Sequence, residues 1–302
     1  MSALPLAVNI VIVTHNSRSL VGGLLDSIPI ALAGVTAEVV VVDNSSSDGT
    51  PDYVASRGDC LLVRSANVGY AAGINRGVMA SQRADAILVL NPDVILHPNS
   101  IQPMLRALRR ENVGIVVPQV RSSDGDLSLS LRREPTLLRS LGLTATRLGV
   151  FSEYVNERSL YTSPRTVDWA VGAAMLMSRE CYDRLAGWDE TYFLYSEETD
   201  LCLRARDRGL LTVYEPAAVV VHIGGQSGQD AKTHSMRCVN RVRLYRRRHG
   251  VVTAWCFLAL TIGFELRWAL RGRRESWAAI KALTRPAERP VELGCSDALM
   301  PH

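Results

Sequence analysis

The sequence predicts an α/β fold with a largely parallel sheet at its centre. In the first hundred residues, short β-branched segments alternate with helical segments, which is the order of strands joined by crossover helices. The chain has 302 residues, 47% of them hydrophobic, so it can bury a sizeable core. Polar residues follow successive predicted strands, and in a parallel sheet such positions meet at one edge. The sequence therefore predicts a ligand site at that edge.

The elements follow in order from the period of the apolar residues. In the first half, the predicted strands span residues 8–14, 38–42, 61–64 and 86–90, and the predicted helices span residues 18–30, 51–56 and 70–80. In the second half, we predict strands within residues 114–118, 166–178 and 217–222, and helices at residues 179–185 and 198–208. The region between residues 127 and 163 is less periodic and receives no assignment.

The C-terminal part of the chain is strongly basic. Residues 237–289 hold twelve Arg and one Lys against three Glu, a balance of 13 − 3 = +10, so the remainder carries about −6 of the total +4. We predict a basic helix at residues 232–249, and then fourteen uncharged residues at 251–264, fewer than the roughly 20 that a spanning helix needs. The pattern favours an amphipathic helix lying on an anionic membrane surface. The alternative is a helix packed on the core or on a second subunit, as in a homodimer.

The carboxyl end of the fourth strand carries a candidate metal ligand. Pro92 ends the strand pairing and turns Asp93 out of the sheet. A carboxylate there can hold Mg²⁺ or Mn²⁺ together with the oxygens of a diphosphate. The alternative is a turn in which Asp93 only caps the chain. His222 ends the last predicted strand ahead of a glycine-rich loop at residues 224–228, where it can reach the same metal or a phosphate.

Two further segments have the composition of a nucleotide site. Residues 43–50 follow the second strand and are rich in hydrogen-bonding side chains, which suits a base or a ribose, although a solvated loop explains the same residues. Residues 67–77 form a Gly- and Asn-rich entry into a helix, where backbone N–H groups can meet anionic oxygens. A purely structural helix start accounts for part of this second pattern.

An acidic cluster precedes the helix predicted at residues 198–208. Helix capping explains some of this charge, but Glu197, Glu198 and Asp200 together exceed what a cap needs. A like-charged neighbour or partial burial raises the pKa of a carboxyl group and makes it a usable general base. We assign that role to Glu198, with Glu197 as the second candidate.

Taken in order, these segments resemble the inverting GT-A glycosyltransferases of family 2, in particular the bacterial rhamnosyltransferase-like branch. The resemblance covers roughly residues 8–248 and rests on segments 11–16, 41–50, 67–77, 91–93 and 187–201. Two positions depart from the family pattern. Asn91 replaces the first Asp of the usual DxD motif, and Glu198 stands where the base is more often Asp.

The resemblance implies transfer of a sugar, with inversion, from a nucleotide diphosphate donor to a lipid-linked or cell-envelope glycan. The preferred donor is dTDP-rhamnose, with UDP- and GDP-sugars as alternatives. Glu198 is the implied base, and Asp93 and His222 are the implied ligands of Mg²⁺ or Mn²⁺. The implied donor-binding residues are Thr14, His15, Asn16, Asp43, Asn44, Asn67, Gly73, Asn75 and Asn91. The implied acceptor-side residues are Trp169, Gly172 and Asp200.

The predicted domain organisation follows from this resemblance. Residues 1–230 form the GT-A catalytic domain, divided into a nucleotide-sugar half (1–118) and an acceptor half (119–230). Residues 231–285 form a basic amphipathic extension, and residues 286–302 form a disordered tail. Six scattered cysteines without a CxxC pair indicate a reduced protein, and we expect it in the cytoplasm, peripheral to the inner face of the plasma membrane.

Two other functional classes fit the sequence less well. A sugar nucleotidyltransferase shares the sheet type but needs a glycine-rich, basic phosphate loop after the first strand, and residues 14–17 are not such a loop. A non-catalytic sugar-nucleotide scaffold would keep the nucleotide segments and lose the metal and base positions, which are present here. Nucleic acid is a weaker partner than lipid, because no nucleic-acid-binding motif accompanies the basic charge.

Overall fold

A nine-stranded mixed sheet forms the centre of the protein, seen in a computed structural model that describes residues 7–143, 146, 148–224 and 230–301. The strands are β1 (Val8–Thr14), β2 (Ala37–Asn44), β3 (Leu61–Ser65), β4 (Ala86–Leu90), β5 (Val94–Leu96), β6 (Val113–Arg121), β7 (Leu131–Arg132), β8 (Arg165–Val167), β9 (Trp169–Ala170), β10 (Ala174–Ser178) and β11 (Leu211–His222). The helices are α1 (Val21–Leu32), α2 (Thr50–Arg57), α3 (Tyr70–Ala80), α4 (Ile101–Leu108), α5 (Leu137–Ser140), α6 (Arg179–Leu185), α7 (Glu197–Asp207), α8 (Ala231–His249), α9 (Val251–Ala269) and α10 (Arg274–Thr284).

The first half of the sheet confirms the predicted α/β pattern. Its strands β3, β2, β1 and β4 lie side by side and pair in parallel, and the apolar strands β1 and β4 are buried on both faces. Helix α1 begins at Val21, three residues later than predicted. The carbonyl of Ser17 accepts hydrogen bonds from the amides of Leu20 and Val21, and this turn holds the chain out of the helix until Val21.

The second half of the sheet departs from the parallel pattern. Strand β10 lies antiparallel between β4 and β6, and β11 pairs in parallel with β6 and antiparallel with β5 and β8. Strand β11 begins at Leu211 rather than at residue 217. The apolar run 166–178 is divided among β8, β9 and β10 instead of forming one strand. Strands β7 and β9 form a separate two-stranded sheet beside α7.

The C-terminal extension is a helical unit with its own apolar cluster, in which α8, α9 and α10 pack together. Helix α9 has 19 residues, longer than the fourteen-residue segment that the charge pattern suggested. It continues past Glu265 because that carboxylate is buried and lies 2.8 Å from His234 Nε2 on α8. By length and composition, α9 is the one helix of the described residues that is apolar enough to cross a membrane, with a mean hydropathy of 1.4.

The prediction of a disordered tail is wrong for residues 286–301. Leu293, Leu299 and Met300 are buried in the cluster of the C-terminal helices. The guanidinium of Arg243 on α8 donates to the carbonyl oxygens of Leu293 and Met300, at 2.8 Å from the latter. The sequence of the tail gives no warning of such a contact, since the acceptors are backbone carbonyls.

Candidate active site

The loops after β1 and β2 are bound to each other at the carboxyl edge of the sheet. Asp43 is 3% exposed, and its Oδ1 accepts from Thr14 Oγ1 at 3.0 Å. The amide and hydroxyl of Ser46 also donate to Asp43, at 2.9 and 2.5 Å. The parallel register of Thr14 with Asp43 brings the two side chains together. Asp43 therefore fixes the shape of the loop that the sequence predicted for a nucleotide.

Three more of the predicted donor residues line the same edge. His15 Nδ1 lies 2.8 Å from the carbonyl oxygen of Asn44, and Asn16 binds the 46–47 turn through its amide and its side-chain oxygen. The Asn44 amide donates to the carbonyl of Gly69 at 3.0 Å. Its Oδ1 is buried and has no hydrogen-bond partner among the described residues, so this acceptor is available to a ligand.

Two predicted donor residues belong instead to the framework. A Cβ at Gly73 would lie 2.8 Å from Val13 Cγ1, so this glycine lets α3 pack closely on the sheet. The Asn75 amide nitrogen donates to Trp188 O and Glu190 Oε1, both at 2.9 Å, while Asn75 Oδ1 accepts from the amide of Trp188. We therefore assign Gly73 and Asn75 to packing. Asn67 is exposed at the start of this segment.

The candidate metal ligands meet across two strands. The antiparallel register of β11 with β5 places His222 opposite Val94, next to Asp93. Asp93 is 6% exposed, and its Oδ2 lies 3.0 Å from His222 Nε2. The carboxylate raises the pKa of the imidazole. The glycine-rich loop predicted after His222 lies largely outside the described residues.

The predicted base lies at the first turn of α7, in a strained segment. Tyr195 and Ser196 have φ values of +69° and +77°, in the left-handed region that side chains rarely adopt. This turn places Glu197 and Glu198 at the start of the helix, and each has a buried Oε2 without a hydrogen-bond partner among the described residues. A strained turn ahead of two unpartnered carboxylates is typical of a functional site.

The two carboxyl groups differ in their affinity for a proton. Burial, and then the charge of Glu198, raises the pKa of Glu197 well above its ordinary value. Burial also raises the pKa of Glu198, while its backbone hydrogen bond and the charge of Arg132 oppose that rise. Such a pair retains a proton to higher pH, and the arrangement favours Glu197 as its holder.

Tyr70 connects the metal side to the base side, and sequence reasoning missed it. Its hydroxyl donates to Asn91 Oδ1 at 2.6 Å. Burial is the main cause of its raised pKa, and the charges of Glu197, Glu198 and Asp93 add to it. Tyr70 is therefore within electrostatic range of the predicted metal ligand and of both carboxyl groups. In the sequence, Tyr70 is the first residue of a predicted helix within the Gly- and Asn-rich segment 67–77. That position does not single out its hydroxyl group for a function.

A large part of the chain matches a known protein-family model. Residues 9–184, more than half of the chain, match the family model described as glycosyl transferase family 2. The chain belongs to glycosyl transferase family 2. This finding confirms the family resemblance, and the glycosyltransferase class with it. Glu197 and Glu198 on α7 lie beyond the matched residues.

Curated relatives of this glycosyltransferase include rhamnosyltransferases. The chain is 37% identical over 217 residues to the N-acetylglucosaminyl-diphospho-decaprenol L-rhamnosyltransferase of Mycobacterium tuberculosis. The aligned residues cover 65% of this chain and 70% of that protein. It is 31% identical over 202 residues to the low-salt glycan biosynthesis hexosyltransferase Agl10 of Haloferax volcanii, covering 66% of this chain and 61% of that one. The rhamnosyltransferase WbbL of Escherichia coli is 31% identical over 140 residues, 46% of this chain and 52% of that one.

Solved structures confirm the GT-A fold. GalNAc-T7, solved with UDP, GalNAc and Mn²⁺, superposes with a TM-score of 0.61 at 17% identity, over 80% of this chain and 48% of that chain. The mannosyltransferase PcManGT of Pyrobaculum calidifontis, solved with GDP-Man and Mn²⁺, superposes with a TM-score of 0.57 at 17% identity, over 94% of this chain and 81% of that one. At 17% identity, these superpositions show a shared fold and nothing about the substrate.

The three residues predicted for the acceptor side of this glycosyltransferase have different surroundings in the structure. A Cβ at Gly172 would lie 3.4 Å from Glu198 Cβ, so this position is beside the predicted base. Trp169 donates its indole N–H to the carbonyl of Arg133 at 3.0 Å and so supports the neighbouring strand. Asp200 accepts from Arg204 Nε at 2.6 Å, which makes it a framework residue of α7.

Proposed function

We propose that this glycosyltransferase transfers rhamnose, with inversion, from dTDP-rhamnose to a sugar on a lipid-linked diphosphate. The relatives support this proposal, since two of them are named rhamnosyltransferases and one name states such an acceptor. UDP- and GDP-sugars are the alternative donors, because the two superposed structures hold UDP and GDP-Man. The proposal includes the cytoplasmic face of the plasma membrane as the place of the reaction.

One observation carries the proposal: the Tyr70 hydroxyl, which donates to Asn91 two residues before Asp93, is close enough to Asp93, Glu197 and Glu198 for their charges to raise its pKa. A transferase of this type needs a group that neutralises the departing diphosphate and a base that deprotonates the attacking hydroxyl. A nucleotide-sugar scaffold needs neither. The buried, unpartnered Oε2 atoms of both glutamates supply the second requirement.

Asp93 and His222 suit a divalent cation. The Asp93 carboxylate is the kind of oxygen ligand that Mn²⁺ and Mg²⁺ prefer, and it leaves the other positions to diphosphate oxygens and water. The imidazole nitrogen of His222, 3.0 Å from that carboxylate, is beside the same position and can contact the metal or a phosphate. When bound there, Mg²⁺ or Mn²⁺ would supply positive charge at the leaving diphosphate. The side-chain oxygen of Asn91 accepts a hydrogen bond from the Tyr70 hydroxyl, so Asn91 does not need to be a metal ligand.

In the proposed mechanism, Glu198 accepts the proton of the acceptor hydroxyl. The hydroxyl oxygen forms a bond to the anomeric carbon as the bond from that carbon to the nucleoside diphosphate breaks, so the configuration inverts. Glu197 keeps its proton and thereby avoids a second negative charge beside the base. Gly172 leaves space above Glu198 for the incoming sugar. Holding the reactants in line supplies much of the rate.

The test measures donor binding and slow donor hydrolysis across dTDP-, UDP- and GDP-sugars with Mg²⁺ or Mn²⁺. We expect selective binding of one donor, weakened in Asp93→Ala, and binding with lost turnover in Glu198→Gln. The matched controls are Asp52→Asn and Glu180→Gln, whose side chains are 83% and 76% exposed. The absence of metal-dependent binding to any donor would contradict the proposal and favour the scaffold.

We also propose that the exposed apolar face of α9 lies on an anionic membrane. Trp255 and Leu270 are 59% and 74% exposed, whereas Phe257 and Leu258 face the other helices. Arg271 and Arg273 stack on the ring of Trp268, with the guanidinium of Arg273 4.1 Å from the ring centroid. Aromatic and basic residues at the end of an apolar face are typical of interfacial helices.

Vesicle co-sedimentation tests the membrane proposal. Trp255→Ser with Leu270→Ser should reduce binding to vesicles that contain anionic lipid. The control is Ile30→Ser with Met79→Ser, since these two side chains are also exposed, at 62% and 83%, on helices of the sheet domain. Unchanged binding, or a change of oligomeric state in place of a change in binding, would favour a homodimer contact.

A further inference from the structure

An arginine-rich pocket lies on the acceptor half of the protein, outside the donor site. Its volume is about 320 Å³, and its wall includes Arg132, Arg133, Arg139 and Arg165.

 Ligand pockets begin at about 300 Å³, so the space is sufficient for a small anion with part of its attached groups.

The wall of the pocket carries more positive than negative charge. Glu157 Oε2 lies 3.6 Å from Arg133, and Asp168 Oδ2 lies 3.9 Å from Arg139. The four wall arginines therefore exceed the two carboxylates that contact them by 4 − 2 = 2 charges. Asp168 also forms an ion pair with Arg206 at 3.4 Å, so its negative charge is shared and neutralises less of the positive charge of the pocket wall. An anion with two charges would balance this wall.

The arginines also have unused hydrogen-bonding groups. The Nε atoms of Arg139 and Arg165 are buried and have no hydrogen-bond partner among the described residues. Among the described residues, Arg132 donates to the backbone carbonyls of Leu129 and Leu131, and its guanidinium lies 4.3 Å above the ring of Tyr154. Guanidinium groups match phosphate oxygens in geometry, and buried donors without acceptors are costly.

The pocket is connected to the predicted base through two short strands. Arg132 on β7 pairs with Trp169 on β9, and Gly172, three residues further on, lies against Glu198. An anion held by the arginines would therefore be next to the space above the base. An acceptor sugar attached to that anion can place its hydroxyl at Glu198.

On the other side, the pocket adjoins exposed apolar residues. Leu138 and Leu141 are 49% and 44% exposed, beside Arg139 on and directly after α5. Helix α5 contacts α9, the helix whose exposed face we assign to the membrane. A ligand that is a sugar at one end and a lipid at the other, with an anion between them, fits this order of surfaces.

We propose that this pocket binds the diphosphate of the lipid-linked acceptor, with the sugar directed to Glu198 and the lipid chain directed over α5. The inference rests on the proposed function for its acceptor class. The two phosphates of such a diester carry one negative charge each, which balances the excess charge of the wall.

The first test compares two acceptors of the same sugar, a short-chain prenyl diphosphate glycoside and an alkyl glycoside without phosphate. Arg165→Ala and Arg139→Ala should raise the KM for the diphosphate acceptor about tenfold, the scale of a lost charge-assisted contact, with a smaller change for the alkyl glycoside. Arg158→Ala, an exposed neighbour outside the pocket, is the control. An equal loss with both acceptors would overturn the proposal.

A binding measurement separates this inference from the proposed transfer reaction. Calorimetry with a short prenyl diphosphate, at saturating dTDP and Mg²⁺ to fill the donor site, should show binding that Arg165→Ala weakens and Arg158→Ala does not. Unchanged binding in Arg165→Ala would overturn the pocket assignment, even where the wild type transfers sugar. Weakened binding without any transfer would support the pocket and contradict the proposed function.

Discussion

Gly172 lies against the side chain of Glu198, such that a Cβ at position 172 would be 3.4 Å from Glu198 Cβ and 3.9 Å from its Cδ. These are ordinary contact distances, so a single methyl group fits without clash. A larger side chain would instead occupy the space above the carboxylate. The absence of a side chain at this position leaves space beside the Glu198 carboxyl group.

We predict that Gly172→Val lowers kcat/KM for the acceptor at least about tenfold, because its methyl groups fill the space needed by the attacking sugar. Donor binding should change little, and Gly172→Ala should be intermediate. Steady-state kinetics with both substrates would measure the effect. Gly263→Ala, at a position with no atom within 4 Å of the added carbon, is the control. Full activity in Gly172→Val would exclude this position from the acceptor site.

The two glutamates should respond differently to removal of their charge. Glu198→Gln removes the base and should lower kcat about 10²- to 10⁴-fold. Glu197→Gln keeps that position neutral, as the raised pKa of Glu197 already does, and should retain activity within a few fold. Single-turnover rates at neutral pH would test both variants. If Glu197→Gln has the larger loss, the assignment of the base must be reversed.

Arg132 should set the acidic limit of the reaction. The base must be ionised, so kcat/KM falls as the pH drops through the pKa of Glu198, which burial raises and Arg132 lowers. Arg132→Met removes the opposing charge, and the pKa of Glu198 should rise further. The acidic limb of the pH profile should then move to higher pH. A limb that stays in place, or that moves as much in Arg158→Met, would contradict this role.

Asn75 tests the distinction between framework and donor site. Its side chain makes hydrogen bonds to the backbone and side chains of residues 182–190, so Asn75→Ala leaves several buried groups unpaired. We expect a loss of about 2–4 kcal/mol in the free energy of unfolding, with an unchanged donor Kd in the folded protein. Denaturant titration and donor calorimetry measure the two quantities. The surface variant Asn156→Ala is the control, and a selective loss of donor binding would return Asn75 to the site.

Much of the nucleotide-binding half was predictable because its signals are local. The strands β1, β2 and β4 are rich in apolar residues, and polar residues lie at or just after the carboxyl end of each of them. Asp93 was predictable for the same reason, since a proline fixes the point at which β4 ends. The antiparallel strands of the second half were not, because short strands such as β8 and β9 are defined by their partners rather than by their own period.

The sequence by itself determined the family, the parallel half of the sheet, and the residue types available for chemistry, because these depend on local patterns and on motifs in a fixed order. Only the tertiary structure decided which residues act together. The register of β11 on β5 brings His222 to Asp93, and the packing of α3 against residues 182–190 commits Asn75 to internal hydrogen bonds. The pocket arginines come from segments more than thirty residues apart, from Arg132 to Arg165, and only the paired short strands bring them together. Long-range pairing carries this information, and a linear pattern does not.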